Sequence, residues 1–240
     1  MKKNILISTI ALVAGSLLAA DSDPRDDIIA AAKKLAEKSN YSWKSTLDLG
    51  PNSQFTPGPT EGKTEKDGYT WVSVTFNDNT SIGLKKGSKV AVKTDEGWKS
   101  GEEASEASGD GGFNAGRFMA TRMQSLKAPA AEVEDLVSKA KAIKKDGDTY
   151  SGELTEDGAK SLLTFGFRRR DGQAPPPATN AKGSVKFWLK DGLMTKYESK
   201  VSGKREFNGE EREIERTTKI EIKDVGTTKV EVPEEAKKKL

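Results

Sequence analysis

The chain has no histidine and no cysteine among its 240 residues. Without imidazole there is no ordinary proton shuttle near neutral pH, no histidine metal ligand and no Ser-His-Asp triad. Without thiols there are no disulfides, no thiolate metal sites and no cysteine nucleophile. A pair of carboxylates acting on a glycoside is still open to such a chain. The 37 acidic residues, however, are spread along charged strand faces and helix turns, with nothing to single out two of them. The expectation is a protein that is not an enzyme, with no catalytic residues, no metal and no cofactor.

Apolar residues are also sparse, at 34% hydrophobic and 7% aromatic, which predicts a thin core and wide polar faces. The one long apolar run lies at the start. Lys2 and Lys3 precede Ile5 to Ala14, and Ser16-Leu17-Leu18-Ala19-Ala20 offers small residues before the polar Asp21-Ser22-Asp23. This is the pattern of a cleavable signal peptide over residues 1–20, too short for the roughly 20 apolar residues that span a bilayer. Leu18-Ala19-Ala20 is followed by Asp21 rather than cysteine, so no lipid anchor is expected. The mature chain, residues 21–240, is expected to be a periplasmic or secreted monomer with no transmembrane segment. Loss of Lys2 and Lys3 lowers the net charge from +3 to +1, a balance that argues against nucleic acid as a partner.

The mature part opens with a helix signal: Asp23 as N-cap, Pro24 at the first position, Asp26 and Asp27 in the first turn, then Ile28, Ile29, Ala32, Leu35 and Ala36 at helical spacing. From Tyr41 the period changes to two, with Tyr41, Trp43, Ser45 and Leu47 on one face. Thr60 to Lys66, Tyr69 to Phe76, Thr80 to Lys85 and Lys89 to Thr94 follow, separated by turn residues about every ten positions, as in an antiparallel meander. Two helices are expected over Ala115 to Leu126 and Ala130 to Ile143, and a third starts at Thr155 and ends near Leu163. The last third alternates most cleanly: Val185, Phe187 and Leu189, the turn Lys190-Asp191-Gly192, then Leu193 to Val201, Ile214 to Ile222, and a strand over Lys229 to Val232 stopped by Pro233. The predicted fold class is α+β: about nine strands in a curved antiparallel sheet, an incomplete β-barrel, with three or four helices covering one face.

Two stretches lack apolar periodicity and read as loops, residues 100–114 and 166–183. The first contains Gly109-Asp110-Gly111-Gly112, which lacks the preceding strand and the following Gly-Lys-Ser/Thr of a phosphate loop. The second carries Arg168-Arg169-Arg170, suited to phosphate or carboxylate, and Pro175-Pro176-Pro177. Candidate ligand-contacting residues are Phe118, Met119, Met123 and Leu163 on the helices, where thioethers adapt to guests of varied shape, and Trp188 on a strand. Each is equally a core residue by composition.

The order of elements, together with Lys186-Phe187-Trp188-Leu189-Lys190-Asp191-Gly192-Leu193 and the ending from Lys223-Asp224-Val225-Gly226 to Val230-Glu231-Val232-Pro233-Glu234-Glu235-Ala236, resembles the periplasmic lipoprotein-carrier superfamily of LolA-like and LppX/LprG-like lipid-binding proteins. The resemblance implies a half-barrel closed by helices, with a cavity for a lipid or a lipoprotein acyl chain. On that reading the chain is an exported carrier or sensor of an apolar ligand, and the helices after residue 114 are its lid. The alternative is a non-enzymatic envelope module that binds a protein partner through its loops and has a filled core.

Overall fold

The computed structural model describes residues 23–51, 53, 56–76, 79–106, 114–164, 176–207 and 209–240. The run Arg168-Arg169-Arg170, Pro175 and the Gly109 to Gly112 stretch lie outside them. A helix α1 (Pro24–Ala36) leads into six strands, β1 (Asn40–Asp48), β2 (Thr60–Glu65), β3 (Thr70–Phe76), β4 (Asn79–Lys86), β5 (Lys89–Thr94) and β6 (Gly97–Ser100). Three helices follow, α2 (Gly101–Glu106), α3 (Ala115–Ser125) and α4 (Pro129–Lys139). Then come β7 (Ala140–Asp146), β8 (Thr149–Leu154), α5 (Glu156–Thr164), β9 (Thr179–Lys190), β10 (Leu193–Phe207), β11 (Glu210–Lys223) and α6 (Glu234–Lys237).

All eleven strands form one antiparallel sheet in the order β6-β5-β4-β3-β2-β1-β11-β10-β9-β8-β7. The first meander runs outward from the centre to β6, and the second runs from β7 back to the centre, where β11 pairs with β1. Since β6 and β7 occupy opposite edges, the chain between them must cross a face of the sheet. The helices α2, α3 and α4 make that crossing and cover the face. The edges do not pair with each other, so the curved sheet stays an open half-barrel, the predicted fold class with more strands and six helices among the described residues.

Alternation decides which side is covered. On β9, Ala181, Val185, Phe187 and Leu189 are buried while Lys182, Lys186 and Lys190 are exposed. The inward positions join α1, α3, α4 and α5 in one apolar cluster around Ile28, Leu35, Met119, Met123, Leu136, Leu163, Phe187 and Tyr197. The β9–β10 turn has Asp191 at φ 54° and Gly192 at φ 66°, both left-handed, as a two-residue hairpin requires. On the opposite face, Leu84 and its partner Ala91 are also fully buried, and α6 packs against β5 and β6.

Four expectations need correction. The loop expected at 100–114 begins as α2, because Ser100 and Glu103 cap each other: Ser100 N donates to Glu103 Oε2 at 2.7 Å and Glu103 N to Ser100 Oγ at 3.2 Å. The helix expected to reach Ile143 ends at Lys139. There Arg25 takes the carbonyls of Val137, Ala140 and Lys141, and Ala140 enters β7 opposite Leu154. The loop expected to reach Gly183 gives way to β9 at Thr179, which pairs with Lys204. Residues 229–232 are not a strand: side chains at the sheet end take the amides, Thr228 N to Asn40 Oδ1 and Val230 N to Glu65 Oε1, and Pro233 caps α6.

Candidate functional site

The helices sit on the sheet in two groups. α2 and α3 pack on β4, β5 and β6, while α4 packs against α1 and α5, which between them reach β7, β9, β10 and β11. The central strands of the sheet are β2, β1 and β11. Register assigns their covered face: Thr60 faces Ser45, Ser45 faces Ile220, Leu47 faces Thr218, and Arg216 follows Thr218 two positions back on β11. Across β10, Tyr197, Ser199 and Val201 stand opposite Ile220, Thr218 and Arg216. The result is a hydroxyl-rich strip on the covered face of the sheet. Leu47 and Ile214 are half-buried at one end, and Phe207, 39% exposed, lies on the same register face at the tip of the β10–β11 hairpin.

Three charged side chains belong to this part of the molecule. Arg122 descends from α3, one turn after Met119, and its Nη2 donates to Thr60 Oγ1 at 3.0 Å. Its Nε is buried with no hydrogen-bond partner, and Arg122 forms no ion pair with a described carboxylate. A buried donor left without an acceptor costs about 1–3 kcal/mol. Glu132, on the first turns of α4, accepts a hydrogen bond from the fully buried Tyr197 hydroxyl at 2.8 Å. Arg216 comes from β11, with Nε directed to Thr218 Oγ1 at 3.4 Å.

Each group registers the others. Burial pushes the Glu132 carboxyl above its ordinary range, opposed by the Tyr197 hydrogen bond and by the charges of Arg216 and Arg122. Burial lowers the Arg122 guanidinium, opposed by Glu132. Arg216 is lowered by burial and then by repulsion from Arg122, again opposed by Glu132. Tyr197 is held well above a free phenol by burial first and the Glu132 carboxylate second.

At the other end of β1, a cleft of about 160 Å³ opens beneath the α3–α4 connection, lined by Trp43, Thr64, Lys85, Leu126 and Pro129 among others. Trp43 packs over Gly62 and directs Nε1 to Thr64 Oγ1 at 3.4 Å. Lys85 Nζ holds the carbonyls of Gln124 and Leu126 at 3.2 and 3.3 Å, closing α3. A second cleft of about 310 Å³ lies at the far end of β9 to β11, between Pro176, Pro177, Thr179, Glu206 and Glu211. The first is smaller than the ~300–1,000 Å³ common for small-molecule sites, and the second falls at the low end of that range.

Of the residues singled out from the sequence, Met119, Met123 and Leu163 share the buried apolar cluster, and Phe118 and Trp188 are not part of it. Met119 and Met123 are fully buried, both seated over Gly83; Leu163 is buried over Gly203. Phe118 is 40% exposed on α3. Trp188 lies on the opposite face of the sheet from Phe187, stacked under Lys196 Nζ at 4.1 Å. Arg122, Glu132, Arg216 and Tyr197 were not singled out. One signal was present: Arg216 falls in the inward register between Ile214 and Thr218, a charge where the alternation asks for an apolar side chain.

The sheet and its helices define a helix-covered, open half-barrel of antiparallel strands. Among solved structures the chain is similar to lipoprotein LppX of Mycobacterium tuberculosis, at 8% identity and a TM-score of 0.44, covering 86% of this chain and 96% of that one. It is similar to LprF of Mycobacterium bovis, at 9% identity and a TM-score of 0.44, covering 88% and 96%. A DUF1329 family protein of Desulfovibrio piger matches at 12% identity and a TM-score of 0.28, covering 85% and 92%. No family model matches the chain, and no curated protein does. The fold class stands on this chain's own sheet and helices.

Proposed function

We propose that the chain is an exported carrier or sensor, not an enzyme, that holds an amphiphilic ligand against the covered face of its half-barrel. One observation carries the reading: the covered face of the central strands mixes half-buried Leu47 and Ile214 with hydroxyls and with the charges of Arg122, Glu132 and Arg216. Sheltering an alkyl chain contributes about 0.8 kcal/mol per methylene, so a guest of modest length is held without covalent chemistry. Among the described residues no helix is long and apolar enough to cross a membrane, consistent with work in an aqueous compartment.

Native mass spectrometry of protein purified gently from its host tests this. Bound lipid or another amphiphile, released on denaturation, supports the carrier. A clean apo mass that stays clean after incubation with lipid vesicles overturns it.

A second reading is a protein-interaction module. The seating of Met119 and Met123 over Gly83 and of Leu163 over Gly203 favours it, because these contacts fill the space under the helices. A partner captured with an apo protein would decide for the module.

A further inference from the structure

We propose that the cleft beneath the α3–α4 connection binds a compact oxyanion, a carboxylate or phosphate on a short apolar body, with its charge against Lys85 and its body against Trp43. The inference goes beyond the amphiphile reading, because this cleft lies at the opposite end of β1 from Leu47. Pairing register brings its residues together. Trp43 lies across from Gly62, so Thr64 of β2 follows on the same face. Thr64 pairs with Thr70 of β3, and Thr70 with Lys85 of β4, which sets two hydroxyl side chains and one ammonium side by side along the covered face. The α3–α4 connection supplies the opposite wall with Leu126, Lys127 and Pro129.

The lining is of two kinds. Trp43, Leu126 and Pro129 are apolar, while two lysines and two threonines bring charge and hydroxyls, and no carboxylate stands among the residues that line the cleft. Its donors are not all used. Lys85 Nζ carries three N–H groups, and two go to the carbonyls of Gln124 and Leu126 at 3.2 and 3.3 Å, which leaves one. Thr64 Oγ1 receives the Trp43 indole N–H at 3.4 Å, whereas the Thr70 hydroxyl makes no hydrogen bond with a described residue. Lys127 reaches Asp135 at 3.4 Å, and Lys139 holds the same carboxylate at 2.5 Å, so Lys127 is its looser partner. At about 160 Å³ the cleft is close in size to the ~150 Å³ cavity that takes one benzene ring, so its guest is small or presents only its end. An oxyanion there would take the spare Lys85 N–H and the Thr70 hydroxyl, with Lys127 swung in from Asp135 and the apolar body packed on the indole.

Titration calorimetry on the purified protein tests the proposal, with cyclohexanecarboxylate, its neutral counterpart cyclohexylmethanol, and palmitate as probes. Cyclohexanecarboxylate should bind at least about tenfold tighter than cyclohexylmethanol, with that advantage lost in Lys85→Gln and reduced in Lys127→Gln. Trp43 reports occupancy. By register Trp71, Trp98 and Trp188 stand on the opposite face of the sheet, so the change in tryptophan emission on binding should vanish in Trp43→Phe. Palmitate binding with the same dependence on Lys85 identifies the oxyanion as a lipid head, and its failure to compete identifies a free short acid; both support the site. Equal affinity for the acid and the alcohol, or no Lys85-dependent binding of either acid, overturns it and leaves the amphiphile reading standing.

Should Lys85→Gln fail to fold, since Lys85 also closes α3, lysine acetylation on the unaltered protein replaces it. Saturating cyclohexanecarboxylate should protect Lys85 and Lys127, mapped by peptide mass spectrometry, and leave the exposed Lys182 and Lys186 of β9 as reactive as before. Equal labelling of Lys85 and Lys127 with and without the acid overturns the proposal.

Discussion

The indole of Trp43 lies flat over Gly62, its partner across β1 and β2, so closely that a Cβ on Gly62 would stand 2.0 Å from Trp43 Cε2. Glycine is required here for space and not for backbone freedom. Gly62→Ala should therefore force the ring off its seat and lower stability by about 1–3 kcal/mol, as over-packing does. A urea midpoint measures it. In a Trp43→Ala background the same change should cost clearly less, because the ring it collides with is gone.

Met123 and Phe118, both on α3, offer a sharper contrast. Met123→Ala empties a fully buried site over Gly83 and should cost about 2–5 kcal/mol, with Leu163→Ala over Gly203 in the same range. Phe118→Ser, at a 40% exposed position, should stay within about 0.5 kcal/mol. Thermal unfolding of the three variants checks the order. A Met123→Ala protein as stable as the parent would mean that α3 is loosely seated.

Alkaline pH should weaken the fold through Tyr41. Burial, partly offset by its hydrogen bond with Thr64, pushes its hydroxyl from 10.0 up to about 12. The folded state holds the proton more tightly than the unfolded chain, so this contribution is intact below pH 10 and is lost as pH rises through about 12. Unfolding free energies between pH 9 and 12 should fall less steeply for Tyr41→Phe than for the parent. Equal slopes would refute the assignment.

Arg25 closes the C-terminus of α4 from a neighbouring helix, donating to the carbonyls of Val137, Ala140 and Lys141 at 3.1, 2.7 and 2.8 Å. Arg25→Ala should cost about 1–3 kcal/mol, and Arg25→Lys should recover only part, since one ammonium cannot reproduce the planar fork. Hydrogen exchange should accelerate most at the last turn of α4 and the start of β7.

Most of the sheet was legible because its signal is local. The alternation of Val185, Phe187 and Leu189 against lysines, and the Asp191-Gly192 turn, fix strand and register within a dozen residues. The helix at Pro24 was legible for the same reason, from Asp23 and its acidic first turn. What escaped depended on distant partners. The stop of α4 at Lys139 is written in Arg25, and the unstranded path of residues 229–232 in Asn40 and Glu65. The site was least legible of all. Arg122, Glu132 and Arg216 come from three separate elements, and Glu132 looks like a solvent-facing helix residue until Tyr197 is found beneath it. Only the break in alternation at Arg216 hinted at it.

The pairing of Ser42 with Lys223 makes the middle of the sheet its last part to be assembled. Each hairpin can close between neighbours in sequence, but β1 must wait for β11 before its outer edge is satisfied. Contacts this far apart in sequence slow folding. Until the final strands are in place, β1 carries an unprotected edge of the kind that pairs with other chains, and covering it is the task of β11.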